Sequence, residues 1–300
     1  MRAGRPAVAL GVALALALLG AAGRGPAAAT EATDMLGRRV RVPGVPERIV
    51  SLAPSITETV FALGAGEQLV GVTDYCDYPP EARRKPRVGG IYTPSFEAIL
   101  ALRPAVVLAT AESNLPEHIR RLEALGIPVY VIRPVTFATV LESIRRVGDV
   151  LGRPAVAARV VAAMEREADA IARAVAGAPR PRVLYVLWPN PLIAPGRDTL
   201  ITELIRRAGG DSVTAAEPVL YPRLSLETVV ERRPERILVA RHGTPPGDER
   251  VPEIEQLAAL AAVPGGRVEV VDGDLLHRPG PRMVEALRLL AHLLHPEQVR

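Results

Sequence analysis

Apolar positions along this chain follow two rhythms, a helical spacing of three and four and short unbroken runs, and one stretch of this pattern occurs twice. Residues 95–108 read SFEAILALRPAVVL, and 130 positions later residues 225–238 read SLETVVERRPERIL. Ser95, Glu97, Arg103, Pro104 and Leu108 recur without a gap as Ser225, Glu227, Arg233, Pro234 and Leu238. The apolar Phe96, Ile99, Leu100 and Val107 match Leu226, Val229, Val230 and Ile237, so each copy predicts a short helix, a Pro-marked turn and a buried strand. In each copy the Ser is the cap, and the Glu two residues on lies in the first turn, where the helix dipole favours an anion. The paired glutamates are either good helix starts or one acidic knob per half of a pseudo-twofold molecule, offered to a twofold partner.

Around the repeat, strands alternate with helices. Residues 48–53 predict a strand, turned by Pro54 into a helix that Ser55 and Glu58 open as a capping box. Strands follow over 69–73, 105–110 and 128–132, with helices over 116–125 and 137–151, a pattern of a parallel sheet covered on both faces. Over 154–176, Val156, Val160, Met164, Ala168, Ile171 and Val175 recur at helical spacing. Such a helix is roughly 35 Å long and serves as a rigid strut between lobes. A second α/β run comprises a strand over 182–188, a Pro- and Gly-rich loop over 189–197, and a helix capped by Asp198 that stops at Gly209 and Gly210. After the second repeat copy come a helix over 251–262, a strand over 267–271, a loop over 272–281 and a closing helix over 282–294. The predicted fold is α/β: two doubly wound lobes, 30–152 and 178–300, joined by one long helix, 153–177.

Residues 1–29 change the compartment. A basic start, an apolar run over 8–19 and Ala27-Ala28-Ala29 make a cleavable export signal. With Cys76 the only cysteine, no thiol in the leader can carry a lipid, and no internal disulfide forms. A soluble periplasmic monomer is expected, with Cys76 a semi-buried packing residue. Loss of Arg2, Arg5 and Arg24 with the leader takes the formal charge from +4 to +1, which leaves no basic footprint for nucleic acid.

Recognisable catalytic chemistry is missing. Gly64, Gly66 and Gly71 follow a helix and misplace the third glycine of a dinucleotide loop, and no G-x-S-x-G elbow occurs. His118, His242, His277, His292 and His295 are scattered, and the pair His292/His295 fits a solvated helix end better than a metal site. No catalytic residue, metal or cofactor is assigned. Aromatic residues are rare, yet Tyr75, Tyr92, Trp188 and Tyr221 all fall at strand ends or before the repeated helices. Facing a cleft, they suit a broad, partly apolar ligand; otherwise they are buried anchors. An exported enzyme using Asp74, Asp274 and His277, or an adhesion protein with an empty cleft, are the rival classes.

The segments RIVSLAPSITETVFALGAG, VTDYCDYPPEARRKPRVGG and NPLIAPGRDTLITELIRRAGG, with the two repeat copies, resemble the periplasmic substrate-binding proteins of ABC importers, and within them the receptors for cobalamin, haem and iron siderophores. The resemblance implies a corrinoid (cobalamin) as ligand, with a ferric siderophore or haem as the alternative. Family contact positions fall on Tyr75, Tyr221, Asp274 and Arg278, with Tyr92 and Trp188 beside further ones. It also implies that Glu97 and Glu227 meet arginines of a permease dimer at the inner membrane. Leu275 and Leu276 depart from the aromatic residues of cobalamin receptors at that place.

Overall fold

The computed structural model describes residues 29–241 and 254–299. The leader lies outside them apart from Ala29, as do His242 and the start of the helix predicted from 251. An antiparallel hairpin that was not predicted opens the described chain, β1 (Ala29–Thr33) and β2 (Arg39–Pro43). Its turn is set by the buried Asp34 carboxylate, which accepts from the Leu36 and Arg38 amides and pairs with the Arg38 guanidinium at 2.6 Å.

The first lobe runs β3 (Ile49–Ser51), α1 (Pro54–Ala62), β4 (Leu69–Val72), α2 (Phe96–Ala101), β5 (Val106–Thr110), α3 (Pro116–Ala124), β6 (Val129–Ile132) and α4 (Phe137–Val150). Helix α5 (Pro154–Ala174) leads to the second lobe: β7 (Arg182–Val186), β8 (Trp188–Pro189), β9 (Leu192–Ile193), α6 (Leu200–Arg207), β10 (Asp211–Ser212), α7 (Leu226–Arg232), β11 (Arg236–Arg241), α8 (Ile254–Ala261), β12 (Arg267–Asp272), α9 (Gly273–His277) and α10 (Met283–Leu294). The two parallel sheets have equivalent orders, β4-β3-β5-β6 and β10-β7-β11-β12.

The repeat is visible in side-chain detail. Ser95 accepts from the Ala98 amide and Ser225 from the Thr228 amide, both at 3.2 Å. Both helices end in a left-handed arginine, Arg103 at φ 42° and Arg233 at φ 45°, each followed by a proline that cannot continue the helix. A further repeated device was not read from sequence. Arg48, just before β3, donates to the Leu102 and Arg103 carbonyls, and Arg182, opening β7, donates to those of Arg232 and Arg233. Each guanidinium thus satisfies the carbonyls left open at the end of its helix.

Helix α5 buries Ala157, Val161, Met164, Ala168 and Ile171 in a core that also contains Ile56, Val147, Leu204 and Leu287, so one apolar core continues through both lobes. Gly148 lets α4 lie close: a Cβ there would stand 2.4 Å from that of Ala157.

Several local predictions are corrected. The N-cap of α1 is Ala53 with no side-chain bond, so Ser55 and Glu58 form no capping box; Pro54 supplies the preset first turn and Glu58 turns to arginines of the other lobe. Thr199, not Asp198, caps α6, and Asp198 occupies a left-handed position at φ 65°. The loops predicted over 189–197 and 272–281 contain the β8-β9 pair and helix α9. Of the His292/His295 pair only His292 is at a solvated end: it is exposed, with Nδ1 bonding the Val299 carbonyl oxygen, whereas His295 is buried and bonds that of Gly209. Cys76 is fully buried between Thr57 and Thr73, and burial pushes its thiol pKa up.

Candidate functional site

All four strands of the first sheet end at one cleft of about 1230 Å³, lined after β3 by Ala53 to Ser55, after β4 by Asp74, Tyr75 and Asp77, after β5 by Glu112 and after β6 by Arg133 to Thr136. The second lobe contributes Leu187 after β7, Asp198 to Ile201, Tyr221, and Asp274 with Leu276 to Pro279 after β12. The carboxyl edge of an open α/β sheet is where such folds place ligands. Asn114 fixes this edge, accepting from the Thr110 amide at 2.8 Å and donating to the Leu52 carbonyl at 3.0 Å.

Tyr75, Tyr221, Asp274 and Arg278 are brought together here. Tyr75 and Tyr221, 41% and 53% exposed, offer ring surface from opposite lobes. Burial, then the nearby Glu112 and Tyr92, raise the Tyr221 pKa and keep its hydroxyl protonated. Tyr92 and Trp188 are not among the lining residues. Each follows one in the chain, Ile91 or Leu187, and is exposed, with Trp188 Nε1 donating to the Asn190 carbonyl at 2.8 Å. His277 lines the cleft with a ring nitrogen 2.9 Å from the hydroxyl of fully buried Tyr185.

Helix α9 decides the geometry of the second wall. Asp272 caps it by accepting from the Asp274 and Leu275 amides, which sets Asp274 and Arg278 one turn apart as an ion pair at 3.0 Å. Leu276, 2% exposed, belongs to the core and also borders the cleft, while Leu275 packs partly buried against that core.

Arg278 is also the centre of a buried bridge between lobes. It meets Asp77 at 2.5 Å and Glu58 at 3.3 Å, and Arg282 binds the same Glu58 carboxylate at 2.7 and 2.8 Å. Glu58 is 3% exposed, and the Arg282 guanidinium lies 3.9 Å over the Tyr78 ring. Burial acts to raise the Asp77 pKa, but the hydrogen bond and charge of Arg278 outweigh it and hold the carboxyl below its ordinary value. From the sequence Glu58 reads only as a helix-capping residue, and Asp77 is given no role. Asp77 sat in the quoted DYCDYPP loop, and its identity as a second acid two residues after Tyr75 was the available signal. A second bridge lies at α4, whose Phe137 amide donates to Glu203 at 2.8 Å while Arg207 pairs with Glu203 and covers the Phe137 ring.

The cleft's charges nearly balance. Asp74, Asp77, Glu112, Asp198 and Asp274 face Arg83, Arg87, Arg133 and Arg278. Those arginines have partners in the protein: Arg83 donates to the Asp77 carbonyl, Arg87 to those of Thr73 and Cys76, and Arg133 pairs with Glu112 at 3.8 Å.

Glu97 and Glu227 are exposed in the first turns of α2 and α7. Each lies six residues after a cleft residue, Ile91 or Tyr221, so both helices start from the sheet edge that forms the cleft. Ser225 lowers the Glu227 pKa by hydrogen bonding.

The family model described as periplasmic binding protein matches residues 49–275. The chain belongs to that family. Among its relatives, the vitamin B12-binding protein of Vibrio cholerae serotype O1 is 30% identical over 242 residues, covering 80% of this chain and 86% of the relative. Two solved structures share the fold. The periplasmic heme-binding protein RhuT from Roseiflexus sp. RS-1, in apo form, aligns with a TM-score of 0.75 at 32% identity, over 83% of this chain and 98% of RhuT. The periplasmic vitamin B12 binding protein BtuF of Vibrio cholerae aligns at 0.72 and 29% identity, over 85% and 99%. The family and these relatives are binding proteins and not enzymes, and among the described residues no helix of this binding protein is long and apolar enough to cross a membrane.

Proposed function

We propose that this periplasmic binding protein captures a corrinoid between its lobes and delivers it to a dimeric ABC permease at the inner membrane. The observation that carries this reading is the charge-balanced cleft: two tyrosines from opposite lobes flank it, and its arginines already have partners. Cobalamin presents a broad ring with an uncharged amide rim, which needs stacking surface and hydrogen-bond partners more than counter-ions. Tyr75 and Tyr221 hold the macrocycle, Asp274 and Arg278 bond its amides, and Tyr92 and Trp188 close the rim. The two vitamin B12-binding relatives support the same ligand. Glu97 and Glu227 meet the permease, and the leader over 1–29 takes the chain to the periplasm.

Haem is the second ligand, favoured by the likeness to RhuT. Its iron would want a tyrosinate or histidine. The raised Tyr221 pKa opposes the tyrosinate, and two propionates would meet a cleft without surplus positive charge. The absorption spectrum of the protein isolated with its native ligand tests the assignment. Corrinoid bands are expected; a Soret band, or the charge-transfer band of a ferric siderophore, would replace the corrinoid with that ligand.

A further inference from the structure

Between the lobes, behind the ligand surface, two guanidinium groups and three carboxylates are packed into one cluster. Arg278 is 10% exposed at its side chain and touches Asp77, Asp274 and Glu58; Arg282, 16% exposed, shares Glu58. Glu58 and Asp77 come from the first lobe, the arginines and Asp274 from the second. Two positive charges therefore meet three negative ones, and the cluster presents a net negative charge to a cleft whose remaining ions nearly cancel. A ligand entering that cleft loses water, so an unmatched charge on it is felt more strongly than at a surface.

We infer that Glu58 and Asp77 are specificity-determining positioning residues, which neutralise Arg278 and Arg282 so that the cleft takes an uncharged amide-rimmed macrocycle and rejects a carboxylate-bearing one. The inference rests on the corrinoid reading above and adds a reason for the choice of ligand. Asp77 lines the cleft and acts on Arg278 directly; Glu58 lies behind it and acts through both arginines. The depressed pKa of Asp77 agrees with a carboxylate that stays charged in this role.

The test is the affinity of the purified protein for two probes, cyanocobalamin and monomeric haemin, by fluorescence quenching and calorimetry at low and high salt. Glu58→Gln and Asp77→Asn each remove one negative charge without changing shape. Each should raise haemin affinity on the order of tenfold, a scale set by one unit charge about 8 Å away at an effective dielectric near 20, reduced by salt. Cyanocobalamin affinity should change far less, and the haemin gain should shrink at high salt. Adding Arg278→Gln to Asp77→Asn should abolish the gain. A merely structural role would weaken both ligands and give no gain for the anionic one. Unchanged or reduced haemin affinity in folded Asp77→Asn, whose carboxylate is 44% exposed, would overturn the inference even if Glu58→Gln fails to fold. Wild-type protein that binds haemin and not cyanocobalamin would instead overturn the corrinoid assignment, while the haemin response of the variants still decides the role of the two carboxylates.

Discussion

Substituting Arg282→Met isolates the energetic weight of the bridge between lobes. Glu58 is fully enclosed, and Arg282 supplies its two shortest contacts, at 2.7 and 2.8 Å. Removing the arginine leaves a buried carboxylate with Arg278 alone, at 3.3 Å. Breaking a buried ion pair from one side typically costs about 3–5 kcal/mol. The surviving Arg278 contact lowers that to about 2–3 kcal/mol, and the lost guanidinium stack on Tyr78 returns about 0.5–1 kcal/mol to the loss. Replacing both partners, Glu58→Leu with Arg282→Met, removes the stranded charge. The double variant should then be more stable than Arg282→Met alone, with a coupling energy of at least about 1.5 kcal/mol. Urea unfolding followed by far-ultraviolet circular dichroism measures each corner of the cycle, provided the denaturant slope is unchanged. An Arg282→Met midpoint equal to wild type, or a coupling below about 0.5 kcal/mol, would refute the view that these charges are dry and mutually dependent.

Other expectations follow from particular contacts. Tyr221→Ala should weaken cyanocobalamin binding by about 1 kcal/mol, roughly fivefold, through loss of ring stacking; equal calorimetric affinity would place the ligand elsewhere. Reversing both charges, Glu97→Lys with Glu227→Lys, should spare ligand affinity while abolishing stimulation of the permease's ATPase in liposomes, because such exposed charges set encounter and register. Loss of ligand affinity would show instead that the lobes had been damaged. Gly148→Ala should destabilise by about 1–3 kcal/mol through a clash with Ala157, read as a lowered urea midpoint. Because Asp77 titrates below its ordinary 3.8 in the folded protein, its contribution is present above that value and is lost as pH falls through the depressed one. Asp77→Asn should accordingly flatten the stability loss as pH falls below the ordinary 3.8, and an unaltered slope would count against the pair.

The secondary structure was legible in the sequence because burial imposes periodicity, and periodicity survives in one dimension. The stretch that recurs after 130 positions and the long helical stripe are patterns of this kind, and they predicted two lobes joined by one helix. The vocabulary of polar residues is less specific. Ser55 and Glu58 satisfy the sequence rule for a capping box, yet Pro54 had already set the first turn, and Glu58 is claimed by Arg282, 224 positions away. The solvated-end reading failed at His295 for the same reason, since nothing near it in the chain announces the carbonyl of Gly209 that it meets. Of the four aromatic residues, Tyr75 and Tyr221 line the cleft and Tyr92 and Trp188 do not, because a place in a loop beside the sheet edge does not fix a side chain's direction. What escaped the sequence in the polar cases is the pairing of groups far apart in the chain, within a lobe for His295 and Gly209 and across lobes for Glu58 and Arg282. That pairing carries the selectivity inferred here: the tyrosines make the cleft suitable for any broad macrocycle, and Glu58 and Asp77, by occupying its arginines, decide which charge such a macrocycle can bring.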